Sequence, residues 1–230
     1  MSLVATTESP SSQHDITVSA VDASTLTRAV CYDSDTGDAV LVLAHGAGAG
    51  QAHPFMVAIA RALAASGVDI VTFDFPYKHA GRKLPDRQPV LEACFRRVID
   101  WTTTRAATRG RLRMFIGGKS MGGRMATHVV AGNPEAMRGV VALGYPLRPP
   151  GRSNADRVSH LLTLRTPLLV VQGTRDTFGS PDDIAAAMAA VPGPVTVVPV
   201  QGGDHSFAVR GRAPAAVLGD VAAAVVRWMD

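Results

Sequence analysis

Apolar residues in this chain fall into short unbroken runs separated by stretches where they recur every three or four positions. Residues 40–44 read Val-Leu-Val-Leu-Ala and end at His45-Gly46, the pattern of a strand buried on both faces. Similar runs at 68–73, 112–116, 139–143, 168–171 and 195–200 predict five more strands. Residues 16–20 alternate apolar with polar, and 26–32 do so less clearly, which predicts two leading strands. Between the later runs, helical spacing predicts helices at 54–65, 89–108, 121–131, 182–190 and 214–229. The first of these stops at Ser66-Gly67, and Pro214 suits a first helical turn. Strand alternating with helix implies a mostly parallel sheet with helices on both faces and right-handed crossovers. Chemistry in such a sheet is sought at the carboxyl ends of its strands.

No internal repeat or low-complexity linker interrupts this pattern. Residues 14–230 are expected to form a single domain, with 1–13, rich in Ser and Thr and without periodicity, as a flexible N-terminus. That segment lacks the basic start and apolar run of a secretory signal, and no run approaches the length of a membrane span. A cytoplasmic protein without a membrane partner is the expectation. The formal net charge of +4 raises nucleic acid as a partner, but the arginines are scattered and only three lysines occur. Aromatic residues at 5% offer few stacking platforms, so nucleic acid is set aside. Cys31 and Cys94 show no metal or redox spacing and read as core residues. No His, Cys or carboxylate cluster has metal-ligand spacing, so neither metal nor cofactor is expected. Nothing in the sequence fixes an oligomeric state.

Composition leaves the function open; residues 117–123, Gly-Gly-Lys-Ser-Met-Gly-Gly, narrow it. Gly-x-Ser-x-Gly stands here directly after a strand and directly before a helix, the context of a nucleophile elbow. Ser120 would occupy a sharp, strained turn, which demands small residues at Gly118 and Gly122. The turn lifts the hydroxyl over the sheet edge at a helix N-terminus, where partial positive charge favours a developing oxyanion. A phosphate-binding loop would need glycine at the position held by Arg113.

His205 follows the last strand and precedes the last helix, so its loop can fold back toward a serine at the sheet edge. His14, His45, His53, His79, His128 and His160 are worse placed. Asp176 lies in the turn after the run at 168–171. The order Ser, Asp, His is that of one known arrangement of the triad, in which the carboxylate holds the imidazole tautomer. Asp182 and Asp183 read as caps of the following helix. Asp204, adjacent in sequence to the histidine, is badly placed to accept from its Nδ1.

His45-Gly-Ala-Gly-Ala-Gly50 follows the first buried run, and its small residues allow close backbone approach. The expected oxyanion donors are the backbone N–H groups of Ala47 and Met121. His45 itself reads as an anchor of this loop. A dinucleotide fingerprint would need glycine where Gln51 stands. Lys119, beside the nucleophile, either tunes the site or faces a neighbouring loop; it and Tyr145 are the candidate substrate contacts.

With these motifs in order (HGAGAG, GKSMGG, GTRD and GGDHSF) the chain resembles the α/β-hydrolase superfamily from about Val40 to Asp230. It is similar, more narrowly, to small cap-less hydrolases related to dienelactone hydrolase, through Phe73-Asp-Phe-Pro-Tyr77 and Tyr145-Pro-Leu-Arg-Pro-Pro150. The resemblance implies the α/β-hydrolase fold and serine hydrolase chemistry. The chain departs from dienelactone hydrolase in carrying Ser120 where that enzyme has cysteine, so lactone specificity is not carried over.

Caps in this superfamily usually insert after the strand that ends here near Gly144, and residues 145–166 are too few for a cap domain. An open site for a small soluble ester or thioester is expected, with a non-catalytic binding module as the alternative. Leu147, Leu161 and Leu162 could still form a short apolar lid. The basic loop 75–88, with Lys78, His79, Arg82, Lys83 and Arg87, would favour anionic groups if it overhung the cleft.

Overall fold

The computed structural model describes residues 11–19, 24–111, 113–132, 137–148 and 155–230. Eight strands lie in one sheet in the order β1-β2-β4-β3-β5-β6-β7-β8. They are β1 (Ser11–Ser19), β2 (Ser24–Tyr32), β3 (Ala39–Ala44), β4 (Val68–Phe73), β5 (Arg113–Lys119), β6 (Gly139–Leu143), β7 (Leu168–Gly173) and β8 (Val195–Val200). β1 and β2 form an antiparallel pair, and β2 runs antiparallel to β4. From β4 to β8 every neighbouring pair is parallel. The helices are α1 (Pro54–Ala65), α2 (Pro76–His79), α3 (Gln88–Thr108), α4 (Met121–Ala131), α5 (Ala155–Val158), α6 (Pro181–Ala187) and α7 (Pro214–Met229).

Continuous apolar runs become strands here because both sheet faces are covered. Along β3, Val40, Val42 and Ala44 point into one core, while Leu41 and Leu43 point into the other. The first core also holds Phe95 and Val98 of α3, Met125 and Val129 of α4, and Ile184 of α6. The second is closed by Met56, Ile59 and Leu63 of α1 and Val217, Val221 and Val225 of α7. Burying each such side chain stabilises the fold by roughly 1.5–3 kcal/mol, which is what holds the strands in this two-sided arrangement. Pro199 is exposed on β8, an edge strand, where a missing N–H costs no ladder bond.

Helix starts follow local chemistry. Pro54 and Pro214 each occupy the first turn of their helix. At α6 the cap is Ser180 rather than Asp182 or Asp183: its side chain accepts from the Asp183 N–H, and Asp183 accepts in return.

Two expectations need correction at the margins. Residues 11–13 do not belong to a loose terminus; they pair with Val30, Cys31 and Tyr32 in β1. Hydrogen bonding to a partner strand supplies the order that their polar composition did not suggest. Residues 1–10 lie outside the described residues, as do Ala20 and Leu112 at the ends of two expected strands. Within 145–166 the described part is α5 and a 3₁₀ turn at Ser159–Thr163. Leu147 and Leu161 are buried in the α3/α4 core, so they form no lid. Among the described residues no helix is long and apolar enough to cross a membrane.

Candidate active site

β5 ends at Lys119 and α4 begins at Met121, so the whole reversal of the chain falls on Ser120. Ser120 has φ 51° and ψ −112°, a strained conformation for a residue with a side chain. Packing enforces it. A Cβ on Gly122 would stand 2.4 Å from the Ala44 carbonyl oxygen, and one on Gly118 would stand 2.6 Å from the same atom. Both glycines thus let the elbow press against β3, and the Ser120 N–H donates to Leu143 O on β6 at 3.0 Å.

The loops after β7 and β8 bring the other two groups to the serine. His205 Nε2 lies 2.9 Å from Ser120 Oγ, and His205 Nδ1 lies 2.7 Å from Asp176 Oδ2. The Asp176 side chain has no exposure, whereas His205 keeps 22%. A buried carboxylate beside a partly exposed imidazole is the environment that a Ser-His-Asp arrangement requires. Asp176 is held on both oxygens: Gln172 Nε2 donates to Oδ2 at 2.9 Å, and the Phe178 N–H donates to Oδ1 at 2.8 Å. The two loops are fastened together where Arg175 N–H donates to Gly203 O at 2.9 Å. Asp204 turns away from the imidazole; its Oδ1 accepts from the N–H groups of Ser206 and Ala208, which folds the His205 loop into a tight turn.

Residues 45–50 lie across the elbow, and a Cβ on Gly46 would stand 3.6 Å from Ser120 Cβ. Neither the Ala47 nor the Met121 N–H has an acceptor among the described residues. His45 anchors this loop as expected. Its Nε2 accepts from the Phe75 N–H at 3.0 Å, so Nδ1 carries the proton and donates to Gly46 O at 2.8 Å. Burial lowers its pKa, with the Gly46 carbonyl and Asp74 opposing, and the ring stays neutral. Gly46 O belongs to the same peptide as the Ala47 N–H, so this bond also orients that donor.

Two candidate substrate contacts fall elsewhere. Tyr145 is fully buried and its hydroxyl donates to Arg157 O at 2.6 Å, so it packs as a core residue. The cause is Gly144, whose φ of 69° turns the chain inward just past β6. Lys119 points along the sheet edge to the His205 loop, donating to His205 O at 2.5 Å. The basic loop is partly absorbed into structure: residues 76–79 form α2, and Arg82 pairs with Asp86 at 2.6 Å.

Sequence reasoning missed Gln172, Phe178, Tyr77 and Asp74. Gln172 is the polar residue of an otherwise apolar strand, LLVVQG, and that mismatch was its available signal. It also accepts from the Tyr145 N–H at 2.8 Å and donates to Gly179 O at 2.8 Å, tying two site loops together. The Phe178 ring rests 4.3 Å from the His205 ring. The Tyr77 hydroxyl donates to Ala47 O at 2.8 Å, and Asp74 Oδ1 accepts from the Gln51 N–H at 2.8 Å; both fix the 45–50 loop. No group of three or more His, Cys, Asp or Glu among the described residues could hold a metal ion.

Known structures share this arrangement of strands and helices. A dienelactone hydrolase from Anabaena variabilis superposes with a TM-score of 0.74 at 20% identity, covering 95% of this chain and 96% of that one. An α/β serine hydrolase without lid from Xanthomonas campestris gives 0.71 at 18% identity, covering 95% and 94%. Est1E from Butyrivibrio proteoclasticus, solved with ferulic acid, gives 0.70 at 16% identity, covering 89% and 94%. At these identities the likeness speaks for the fold. In sequence, the family described as "Alpha/beta hydrolase domain" matches residues 37–230, and the chain, a hydrolase with no large cap, belongs to that family.

Proposed function

We propose that this chain is a serine hydrolase that cleaves a small soluble carboxylic ester or thioester through an acyl-serine intermediate. The observation that carries the reading is the unbroken chain of hydrogen bonds from Ser120 Oγ through His205 to buried Asp176. In the first half-reaction Ser120 Oγ attacks the acyl carbon while His205 Nε2 takes its proton. The carbonyl π pair moves onto oxygen, where the N–H groups of Ala47 and Met121 would receive it. Collapse expels the alkoxide or thiolate, which takes the proton from imidazolium, and leaves the acyl group on Ser120. Water, deprotonated by His205, then attacks the acyl-serine, and the proton returns to Ser120 as the acid departs. Asp176 keeps Nδ1 as the proton-bearing nitrogen and stabilises the imidazolium that forms in each half.

The test joins a probe with a variant. A labelled fluorophosphonate should modify wild-type protein at Ser120, and Ser120→Ala should lower kcat on p-nitrophenyl acetate by roughly 10⁴- to 10⁶-fold. A folded wild-type protein that neither labels nor turns over any ester or thioester would instead point to a binding module. Missing cap walls also set the acyl preference. A buried methylene is worth roughly 0.8 kcal/mol, and without walls that gain is not collected. kcat/KM measured from acetate to palmitate esters should therefore level off or fall beyond short chains; a steady rise would contradict the open site.

A further inference from the structure

Lys119 is a charged side chain beside the elbow for which the mechanism above has no task. It ends β5, and its Nζ reaches past Gly144 to the main chain of the β8 loop. A Cβ on Gly144 would stand 2.8 Å from that Nζ, so the ammonium passes directly over this residue. Nζ lies 2.5 Å from His205 O, and 5.4 Å and 5.9 Å from the centroids of Phe207 and Phe55. The cation is thus enclosed between two aromatic rings and a carbonyl, a fixed site rather than a solvated tether.

The loop it holds is under strain. Phe207 has φ 61°, a conformation that a bulky aromatic residue rarely adopts. Internal bonds from Ser206, Phe207 and Ala208 to Asp204 shape the turn but do not connect it to the nucleophile strand. Lys119 makes that connection, one residue from Ser120 on one side and at His205 itself on the other. We propose that Lys119 is a positioning residue: its ammonium fixes the His205 peptide against β5 and so sets the distance from imidazole to Ser120 Oγ. The inference rests on the serine-hydrolase reading for its catalytic consequence, though not for its structural one.

A charge-assisted bond is roughly twice as strong as a neutral one, so the clamp depends on the proton of Lys119. The charged or titratable groups facing Nζ are Asp176 from the β7 loop and Asp204 and His205 from the β8 loop; α1 offers only Phe55. Burial pulls the Lys119 pKa down to about 8, with Asp176 and Asp204 partly opposing. The clamp therefore weakens through mildly alkaline pH, where an ordinary lysine stays charged. Stability moves the other way. Between that value and about 10.4, the unfolded chain binds a proton that the native state has lost, so this contribution to stability rises with pH.

Lys119→Met and Lys119→Arg test this. Lys119→Met should lower kcat by about 10- to 100-fold with KM changed by less than about threefold, because distance to the serine, not substrate binding, is disturbed. Wild-type kcat should fall above about pH 8, and this fall should be absent in Lys119→Met and displaced past about pH 10 in Lys119→Arg, whose guanidinium keeps its charge. Hydrogen exchange needs no turnover and separates the clamp from the chemistry. At pH 7 the amides of residues 204–208 should exchange about tenfold faster in Lys119→Met than in wild type or Ser120→Ala, with α4 unchanged. Equal exchange in wild type and Lys119→Met would overturn the clamp whether or not the protein is an esterase. An alkaline fall that is missing from wild type, or unchanged in both variants, would overturn its dependence on the Lys119 proton.

Discussion

Two buried aspartates, at opposite ends of the same sheet, are held in opposite ways. Asp69 lies near the start of β4, at the end of the sheet away from Ser120. Its oxygens accept from Arg109 Nε at 2.9 Å, from Arg111 Nε at 2.8 Å, and from the N–H and hydroxyl of Ser34, both at 2.8 Å. Burial alone would raise its pKa, but these donors, Arg111 foremost, outweigh it and hold the carboxyl far below the usual range. Asp176, past the end of β7, has no guanidinium partner among the described residues. Its partners are one amide side chain, one backbone N–H and an imidazole. Asp69 is neutralised in place and has no remaining task except to fasten β4 to the turns that carry Ser34 and Arg111. Asp176 is left with a partner that can change its charge. Full pairing produces a rivet, and incomplete pairing leaves a group able to respond to proton transfer.

Exchanging each carboxylate for its amide should separate the two roles most sharply. Asp176→Asn removes the acceptor that selects the imidazole tautomer and should lower kcat by about 10⁴-fold. Asp69→Asn leaves two guanidiniums facing a neutral group and should cost about 3–5 kcal/mol of stability, with kcat of the folded fraction unchanged. Urea unfolding beside ester turnover checks both, and matching losses of activity in the two variants would erase the distinction. Acid extends the comparison. The depressed pKa of Asp69 carries the expected effect of acid. The stability from Asp69 is fully present above about pH 3.9, the unfolded-chain value, and drains away as pH falls from there toward its depressed native value. Urea unfolding followed by circular dichroism should show stability falling as pH drops below about 4, and less steeply in Asp69→Asn; equal slopes in the two proteins would contradict this. The smallest expected effect is that of a chelator. Neither aspartate belongs to a group of side chains fit to hold a metal among the described residues, so EDTA should leave both rate and stability unchanged.

The side-chain arrangements at the two ends differ in how far they could be read in advance. The elbow was legible because its demands are local: Gly118, Ser120 and Gly122 are within four positions, and the strain is satisfied by those residues themselves. The Asp69 network was not, since Ser34, Asp69, Arg109 and Arg111 come together from β4 and two separate turns with no motif. Tyr145 shows the same limit within the site. It was a candidate substrate contact, and in the fold it follows Gly144, with its φ of 69°, into the core.

Sequence by itself determined the alternation of strand and helix, the doubly covered sheet, and the three residues Ser120, Asp176 and His205 that its loops bring together. These follow from periodicity and from residue types at strand ends, which act over a few positions. The tertiary structure alone decided that polar residues 11–13 enter a strand, that Ser180 caps α6, that Gln172 secures Asp176, and that Lys119 turns to the His205 carbonyl. Each of those outcomes depends on a partner distant in sequence or on one backbone angle. A hydrogen bond acts across space over about 3 Å, and the identity of a residue does not state which partner the folded chain will bring within that distance.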